Sequence, residues 1–406
     1  MSTVINHQSV WTRFRQDWSL SATVAGLLAV IISYSGPLVI FFQAAQKINA
    51  SNEMMASWIW GISIGSAICS MLLSLRYRVP VLLAWSIPGS ALLITLFPEM
   101  PLSDVIGAYI VAAVVSLIIG VSGYFDKVLA LIPQGVAAGM MAGILFQFGA
   151  GIFQSVKTLP VLVFTMLLVY VLSRRFSPRY AIVWVLLSGL IASFVSGNFN
   201  PVSINLSITV PQLLTPTFSW SATMNFALPL VLLNLTGQFL PGLALLKLND
   251  YDVSSKPIIS TASVTSLLIA FVGGISIVQA AVTAALCMGE HCHEDRSRRY
   301  IGGVMNGFFY LIGGLFAGSL VGLFQFLPKA LVATLAGLAL LGALLSNITI
   351  AMQNPDEKEA ALITFLATVS GMTLFGLGSV FWGIVIGMLT YVLLTHKQQL
   401  NFGKSP

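Results

Sequence analysis

Fourteen apolar stretches, most of them about 20 residues long, follow one another along this chain with short polar breaks between them. A helix needs roughly 20 apolar residues to cross the hydrocarbon core of a bilayer. Only 8% of the 406 residues are charged, against roughly 25% in a soluble domain, so the chain cannot cover a water-soluble surface. The sequence therefore predicts an all-α polytopic membrane protein. Its apolar content excludes a disordered chain, and its three cysteines exclude a secreted disulfide scaffold.

Charged residues and breaks rich in Pro, Gly and Asn set the boundaries of these stretches. In chain order they define predicted spans 1 to 14, which are 20–46, 54–75, 79–98, 104–123, 133–153, 158–176, 180–197, 222–247, 257–274, 275–289, 300–322, 329–348, 359–375 and 377–395. Spans 3 and 10 differ from the others. Span 3 is interrupted by Pro88-Gly89, and span 10 is short and directly follows Gly273-Gly274.

The basic residues predict the orientation, because cytoplasmic loops carry an excess of Lys and Arg. With the N-terminus placed inside, sixteen of the nineteen Lys and Arg residues fall on the inner side, and Lys47, Lys157 and Lys329 fall outside. One miscounted span would invert every later loop, so this sorting supports fourteen spans with both termini in the cytoplasm. The polar segment 1–18 is not expected to form a cleavable signal peptide. Because the basic residues form no stripe, we expect no nucleic-acid partner.

The two halves of the chain share a sequence pattern at a nearly constant offset. Pro133 follows Ile106-Gly107 at the same interval at which Pro328 follows Ile301-Gly302. This pairs spans 1–7 with spans 8–14, and because seven is odd the second copy must enter the membrane from the opposite side. Inverted repeats are typical of secondary transporters, whose binding site lies near the midplane. The alternative is that helices rich in small residues merely resemble each other.

Spans 3 and 10 are each predicted to be a short extended stretch followed by a half-helix. The segment Val79–Ser86 is rich in β-branched and aromatic residues, and Ser86–Ser90 has the Ser and Pro that favour a helix start. Ile275–Gln279 follows a Gly pair and leads into a helix from Ala280. In an inverted pair the two helix N-termini would face each other at mid-depth, where their partial positive charge and unpaired N–H groups hold an anion. The alternative is that the breaks are only kinks.

Charged side chains are missing from the middle of the predicted spans, since all thirteen acidic residues fall at or near span ends. Ionisable groups inside a membrane usually mark ion pathways and proton relays, and a cationic substrate would need a buried carboxylate. The pattern therefore favours an anionic substrate that is held by helix ends. A co-transported proton would neutralise its charge.

Span 8 carries two amide side chains inside an apolar run, Asn234 and Gln238, which are four residues apart and so lie on one helix face. Buried amides either bond neighbouring helices or line a cavity. Both roles remain open for Asn234, whereas the cavity is favoured for Gln238. The corresponding part of span 1 offers the hydroxyls of Tyr34 and Ser35. Trp85 would stack on an aromatic substrate, unless it is a core or interfacial residue.

Cys287, His291, Cys292 and His293 lie close together at the end of span 10 and in the loop that follows it, but their spacing does not match a usual zinc site and the loop is predicted to be cytoplasmic. We therefore expect no metal and no other cofactor. The sequence has no Walker A motif, no nucleophile elbow and no apparent nucleophile–base pair. These observations argue against an ATP-driven pump and against an enzyme.

The segment RVPVLLAWSIPGSALL at 78–93 resembles the RVPV-x-x-AWS-x-PG-x-ALL signature of the BenE-type benzoate/proton symporters. Supporting matches are SPRYA at 177–181, the ALP…Q…PG pattern of span 8, and GLGS with FWG at 376–383. The resemblance implies the seven-plus-seven fold shared with uracil and xanthine permeases and the anion exchangers. It also implies a bacterial inner (cytoplasmic) membrane protein and a homodimer.

The same resemblance implies a core domain of spans 1–4 and 8–11 and a gate domain of spans 5–7 and 12–14. The predicted division is a cytoplasmic N-terminus at 1–18, a core at 19–126 and 222–324, a gate at 127–200 and 325–396, an outside loop at 201–221 and a cytoplasmic tail at 397–406. The ligand would lie between spans 1, 3, 8 and 10. The predicted substrate-binding residues are Tyr34, Ser35, Trp85, Ser86, Pro88, Gly89, Asn234, Gln238, Ser276, Gln279 and Ala280.

The residues and the resemblance together predict a secondary active transporter that takes up benzoate or a related aromatic carboxylate with a proton by alternating access. Gln238 resembles by position an acidic residue that binds substrate and couples protons in the nucleobase relatives, and Ser276 falls near a second such position. Neither side chain titrates, which leaves the proton-coupling group open. The alternatives are a carrier of a nucleobase or of another anion such as sulfate, and an anion channel.

Overall fold

The computed structural model describes residues 10–97, 99–197 and 206–402 and is mainly helical. Its helices are Val10–Asp17, Leu20–Ser35, Pro37–Lys47, Asn52–Tyr77, Ile87–Leu96, Leu102–Ser122, Phe125–Ala130, Gln134–Ser155, Pro160–Phe176, Ala181–Val195, Trp220–Ala222, Leu228–Asn234, Leu240–Leu248, Ser255–Ala270, Ala281–Met288, Tyr300–Leu315, Ala317–Phe326, Lys329–Gln353, Lys358–Val369 and Ser379–Phe402. Two short strands are β1 (Leu83–Trp85) and β2 (Ile277–Gln279). The described ranges leave out 1–9, 98, 198–205 and 403–406. These positions belong to the predicted N-terminal segment, the first core half, the first gate half, the outside loop and the tail.

Each of the fourteen predicted spans contains at least one helix. Within the described ranges, six helical stretches are long and apolar enough to cross a membrane by themselves, and a bent pair would make a seventh. The six are Leu20–Lys47, Asn52–Tyr77, Leu102–Ser122, Gln134–Ser155, Trp220–Leu248 and Lys329–Gln353. The helical membrane architecture is thus confirmed, whereas the fourteen crossings and the inverted repeat remain predictions.

Span 8 contains two wide turns that its apolar pattern does not reveal. π-Helical segments at Thr223–Ala227 and Leu235–Phe239 each end just before a Leu-Pro pair, which contains Pro229 or Pro241. A proline has no N–H to donate to residue i−4, and its ring clashes with that carbonyl. In both places the N–H that follows the segment bonds five residues back, and this wider turn makes room for the ring. Such turns are frequent at functional sites.

Span 11 bends by 74° between the helical stretches Arg296–Leu315 and Ala317–Phe326. Thr209, from the extended chain before span 8, bonds into the break. Its N–H donates to Leu315 O at 2.8 Å, and its hydroxyl accepts from Gly318 N at 2.9 Å. A residue far away in the sequence thus supplies hydrogen bonds where the helix is interrupted. The residues of span 11 alone give no sign of the bend, so their apolar pattern predicts an unbroken run.

Small residues let the helices pack closely, as is usual in a membrane. Gly307 of span 11 lies against Ala67 of span 2, and Gly139 of span 5 lies against the backbone carbonyl of Ala361 in span 13. The most extensive contacts join span 11 to spans 1 and 2, span 4 to span 9, span 5 to spans 12 and 13, and span 13 to span 14. Each of these contacts lies within the predicted core or within the predicted gate, and the division into two domains remains a prediction.

Candidate functional site

The interrupted parts of spans 3 and 10 pair with each other as a two-stranded antiparallel ribbon. The directly opposite residues are Leu83 and Gln279, Ala84 and Val278, and Trp85 and Ile277. The ladder continues at both ends, where Ser86 N donates to Ser276 O at 2.9 Å and Ala280 N donates to Leu82 O at 3.0 Å. The two extended stretches predicted from the sequence therefore meet directly.

Serines on neighbouring helices bond to the outer edges of the ribbon. Ser70 of span 2 accepts from Leu83 N at 2.9 Å and donates to Leu83 O at 3.2 Å. Ser266 of span 9 accepts from Ile277 N at 2.8 Å. Extended backbone is tolerated at membrane depth only where its polar groups are satisfied inside the protein. These buried serines supply partners at both edges of the ribbon.

Each strand leads into a short helix, and the antiparallel pairing sends the two helices in opposite directions. The first half-helix, Ile87–Leu96, is capped by Ser86, whose Oγ accepts from Gly89 N at 3.1 Å. The second half-helix, Ala281–Met288, starts after Ala280 and has no side-chain cap. The first N–H groups of a helix have no partner within it. The start of the second half-helix therefore presents free donors and a partial positive charge.

Span 8 runs along the ribbon and contacts the starts of both half-helices. Asn234 Oδ1 accepts from Ser86 Oγ at 2.6 Å. Two turns further along, Gly242 lies so close to Gln279 that a Cβ on Gly242 would be 2.5 Å from Gln279 Cδ. Gln238 lies midway along the chain between these two contacts, within the π-helical segment Leu235–Phe239 that joins them.

Gln238 itself is half-buried, and its amide makes no hydrogen bond to another described side chain or backbone group. The neighbouring Gly237 lies against Met141 of span 5, where a Cβ on Gly237 would be 2.8 Å from Met141 Cε. Span 8 thus borders the predicted gate at this level as well as the ribbon. An amide in this place can both donate and accept a hydrogen bond.

An aromatic cluster lies beside the ribbon. Trp85 is buried and stacks on Tyr34, with ring centroids 6.0 Å apart and an angle of 20° between the planes. Tyr310 of span 11 packs edge-on against both rings, 6.0 Å from Trp85 and 5.7 Å from Tyr34. The Tyr34 hydroxyl donates to Ser63 Oγ at 2.8 Å. The sequence predicts Tyr34 and Trp85 as site residues but not Tyr310, because no motif marks Tyr310 within its apolar helix.

Two buried amides in this region have no hydrogen-bond partner among the described residues. Gln279 is 0% exposed and Asn306 is 1% exposed, and neither the oxygen nor the nitrogen of either amide is bonded. The indole N–H of Trp85 is likewise buried without a bond. Unpaired buried polar groups are costly and call for an explanation. Asn306 precedes Tyr310 by one helical turn. The sequence does not predict it as a site residue, because no motif marks it within its apolar helix.

The remaining predicted residues have different surroundings. Ser35 Oγ donates to Ile31 O at 2.6 Å, one turn earlier in its own helix, so its hydroxyl is already used. Pro88 lies in the first turn of the first half-helix. Gly89 is close to span 8, since a Cβ there would be 2.5 Å from Leu230 Cδ1. Ser276 is buried and contributes its carbonyl to the ribbon.

An open cavity of about 620 Å³ lies elsewhere, at the end of span 1 that is predicted to be cytoplasmic. Its lining residues are Leu20, Ser21, Val24, Ala25, Leu28, Tyr180 and His291. None of them is a predicted binding residue. The candidate site at the ribbon is therefore defined by half-helix starts and unpaired polar atoms.

Cys287 lies in the last turn of the second half-helix, and His291, Cys292 and His293 lie in the tight turn that follows it. Cys287 and Cys292 both lie against Gly302. The Arg299 guanidinium donates to Met288 O and His293 O, each at 2.7 Å. Within the part of the chain that the structure describes, no group of three His, Cys, Asp or Glu side chains is placed to hold a metal ion.

Curated proteins of similar sequence match nearly the whole chain. Residues 16–393 match the family described as BenE, benzoate membrane transport protein. The benzoate membrane transport protein of Acinetobacter baylyi is 61% identical over 380 residues, which cover 94% of this chain and 96% of that protein. The inner membrane protein YdcO of Escherichia coli (strain K12) is 35% identical over 371 residues, which cover 91% of this chain and 95% of that protein.

Solved structures of much lower identity share the fold. The overall structure of SLC26A9 matches with a TM-score of 0.64 at 15% identity, covering 92% of this chain and 65% of that longer chain. The transmembrane domain of the cyanobacterium bicarbonate transporter BicA matches with a TM-score of 0.58 at 14% identity, covering 92% and 97%. Likeness at this identity concerns the fold alone. The family match and the close relative together show that this chain belongs to the BenE family of benzoate membrane transport proteins, which are transporters and not enzymes.

Proposed function

We propose that this chain is a secondary active transporter that takes up benzoate or a related aromatic carboxylate together with a proton. The 61% identity to a protein named for benzoate transport supports the substrate. The observation that carries the proposal is the position of Gln238, a half-buried amide that lies, along the chain, between the contacts of span 8 with the two half-helix starts. An aromatic cluster adjoins the same ribbon.

The carboxyl group of the substrate binds at the half-helix starts, near Ser86–Gly89 and Ser276–Ala280. The second start supplies the free donors, because Ala280 provides no side-chain cap. At the first start the Ser86 hydroxyl is already bonded to Gly89 N and Asn234. Gln238 adds a donor from its Nε2 group. Free backbone N–H groups at a helix start donate hydrogen bonds, and the oxygen atoms of a carboxyl group accept them.

The aromatic ring of the substrate packs against the cluster of Tyr34, Trp85 and Tyr310. Rings in such clusters prefer offset-stacked or edge-on contacts, which are worth about 0.5–1.5 kcal/mol beyond the burial of their surface. Binding sites for small molecules are typically lined by apolar and aromatic side chains with a few polar groups that fix orientation. The ribbon provides both kinds of group within a few residues.

Transport proceeds by alternating access, in which the core domain moves against the gate domain within a fourteen-span inverted repeat. The strands β1 and β2 are separated along the chain by nearly the same offset as Pro133 and Pro328, and so are the two edge serines, Ser70 and Ser266. This agreement supports the repeat. We further propose a homodimer in the inner membrane with both termini in the cytoplasm, and the excess of inner Lys and Arg supports this orientation.

Uptake of radiolabelled benzoate into proteoliposomes with an imposed pH gradient tests this function. We expect saturable accumulation against the benzoate gradient that collapses when a protonophore is added. Gln238→Ala and Ser86→Ala should each lower uptake at least tenfold. Gln353→Ala is the matched amide control, because Gln353 is exposed at the end of its helix, and it should transport at the wild-type rate.

Three outcomes would contradict the proposal. Wild-type uptake by both Gln238→Ala and Ser86→Ala would show that the substrate does not bind at the half-helix starts. Currents that do not saturate and cannot build up a gradient would identify an anion channel. Competition by uracil or sulfate, without competition by other aromatic acids, would assign a different substrate.

A further inference from the structure

Gln279 carries an amide group that is fully enclosed and yet not bonded. Its side chain is 0% exposed, and neither Oε1 nor Nε2 has a partner among the described residues. Burying an amide without hydrogen bonds is unfavourable. Such a group calls for an explanation, and a functional role is one of those that apply.

The position of Gln279 places this amide at the candidate site. It is the last residue of β2 and immediately precedes Ala280, which starts the second half-helix. Its side chain lies against Gly242, four residues after Gln238 in span 8. An unpaired, enclosed side chain and an uncapped helix start therefore coincide at one end of the ribbon.

The two atoms of this amide make different demands on a ligand. Nε2 donates hydrogen bonds, whereas Oε1 only accepts them. A carboxylate has acceptor atoms alone, so it can satisfy Nε2 but would repel Oε1. A protonated carboxylic acid has one acceptor and one donor, and it can bond to both atoms at once. The free amide thus matches the neutral acid better than its anion.

Among the described residues, no titratable group is placed to supply the proton instead. The charged side chains on the helices packed against the ribbon lie at helix ends, and these are Glu53, Arg76, Lys247 and Lys256. The other titratable groups are Tyr34, bonded to Ser63, Cys69, bonded to Thr265, Tyr300, bonded to Asp17 at the start of its helix, and Tyr77, Cys287 and Tyr310. None of these other groups is a carboxylate or an imidazole.

We propose that the substrate crosses the membrane as the protonated acid, paired through its carboxyl group with the Gln279 amide, so that the transported proton is carried by the substrate. The proposal rests on the proposed function. The carboxylate takes up a proton (H⁺) from the surrounding solution as it binds, its O–H donates to Oε1, and its carbonyl oxygen accepts from Nε2. On release the proton returns to water on the other side. No residue of the protein changes its protonation state.

Competition between substrate analogues tests the pairing directly. Benzamide is neutral at all relevant pH values and offers one donor group and one acceptor, whereas benzenesulfonate stays anionic and offers acceptors only. With purified protein and labelled benzoate, we expect benzamide to compete with an affinity that does not change with pH, and benzenesulfonate to compete at least tenfold more weakly. Stronger competition by benzenesulfonate than by benzamide would overturn the proposal.

The pH dependence of benzoate binding gives a second test. If the neutral acid binds, the apparent Kd for total benzoate should rise about tenfold for each unit of pH above the pKa of the acid, without a second bend. A Kd that does not change with pH would show that the anion binds. A bend at a higher pH would show that a protein group takes the proton. Failure of benzoate to bind at any pH would instead contradict the proposed function.

Substitution of Gln279 tests whether this residue binds the carboxyl group that carries the proton. Gln279→Met keeps much of the side-chain volume and removes both hydrogen-bonding atoms. We expect it to weaken benzoate and benzamide binding at least tenfold and to reduce the preference over benzenesulfonate. Gln353→Met is the matched control and should leave all three affinities unchanged. Wild-type affinities for all three compounds in Gln279→Met would show that another group binds the carboxyl.

Discussion

Ser86 joins the first half-helix to span 8 through a single hydroxyl. Its Oγ accepts from Gly89 N at 3.1 Å and donates to Asn234 Oδ1 at 2.6 Å. Ser86→Ala removes a helix cap, which is worth about 1 kcal/mol, and leaves a buried oxygen without a donor, which costs about 1–3 kcal/mol. We therefore expect a clear drop in the midpoint of thermal unfolding for purified protein in detergent, in addition to the loss of transport.

Ser90 provides the matched control for this substitution. Its hydroxyl is also buried, but it donates to Ser86 O at 2.8 Å within the same helix turn, where the carbonyl has another partner, Ser90 N. Ser90→Ala should therefore lower the unfolding midpoint less than Ser86→Ala does. Equal losses in the two variants would show that the bond to Asn234 contributes nothing to stability.

Asp295 makes one part of the stability depend on pH. It caps the turn Arg296–Arg298, and hydrogen bonds from the Ser297 hydroxyl at 2.7 Å and the Ser297 N–H at 2.9 Å lower the pKa of Asp295 below its usual value. A lowered pKa in the folded state means that the stabilisation is present above the pKa of the unfolded state and is lost as pH falls through the folded pKa. We expect Asp295→Ala to unfold at a lower temperature than wild type at neutral pH, with the difference shrinking in acid. A difference that is constant from neutral to acidic pH would contradict this.

Single residues of the site differ in how far the sequence reveals them. Ser86 and Gly89 belong to a local pattern, a serine cap followed by proline and glycine, and this pattern predicts a helix start without tertiary information. Asn306 and Tyr310 lie in a helix whose apolar pattern is ordinary. Their relevance comes only from the contact between span 11 and Trp85, which the amino-acid order does not encode locally.

At the scale of the element, the ribbon depends on the serines that satisfy its edges. Ser266→Ala should leave the buried Ile277 N–H without its acceptor at 2.8 Å, at a cost of about 1–3 kcal/mol. Ser263 lies one turn earlier on the same helix, and its buried hydroxyl has no partner among the described residues. Ser263→Ala should therefore be neutral or slightly stabilising. Thermal unfolding of both variants checks the prediction, and an equal loss of stability would contradict it.

The elements that the sequence predicts well are those whose cause is local. Strand residues followed by a capped helix start define span 3, and a Gly pair followed by β-branched residues defines span 10, so both broken segments can be predicted. The wide turns of span 8 arise from Pro229 and Pro241, which suggest a disturbance but not its form. The bend in span 11 cannot be predicted from its own residues, because Thr209 from another segment occupies it.

At the scale of the whole molecule, the predicted orientation comes from charge alone. Lys and Arg residues sort between alternate loops without any knowledge of packing, and an apolar helical fold follows from composition. Which helices form the core and which form the gate depends on contacts between distant spans. Close approaches such as Gly139 to Ala361 use small residues that are common throughout the chain, so they carry little specific signal in the sequence.

Relative movement of core and gate is the step that alternating access requires, and a cross-link between them tests it. A Cβ on Gly36 of span 1 would lie 3.0 Å from Ala339 Cβ of span 12, near the roughly 3.5–4.5 Å typical of a disulfide. In a background without native cysteines, oxidation of Gly36→Cys with Ala339→Cys should abolish benzoate uptake, and a reductant should restore it. The control pair, Gly135→Cys with Ala361→Cys, lies within the gate at 3.4 Å. Its cross-link should leave uptake unchanged, because the two positions would move together. Full uptake by the cross-linked Gly36–Ala339 protein would mean that spans 1 and 12 do not move apart during transport.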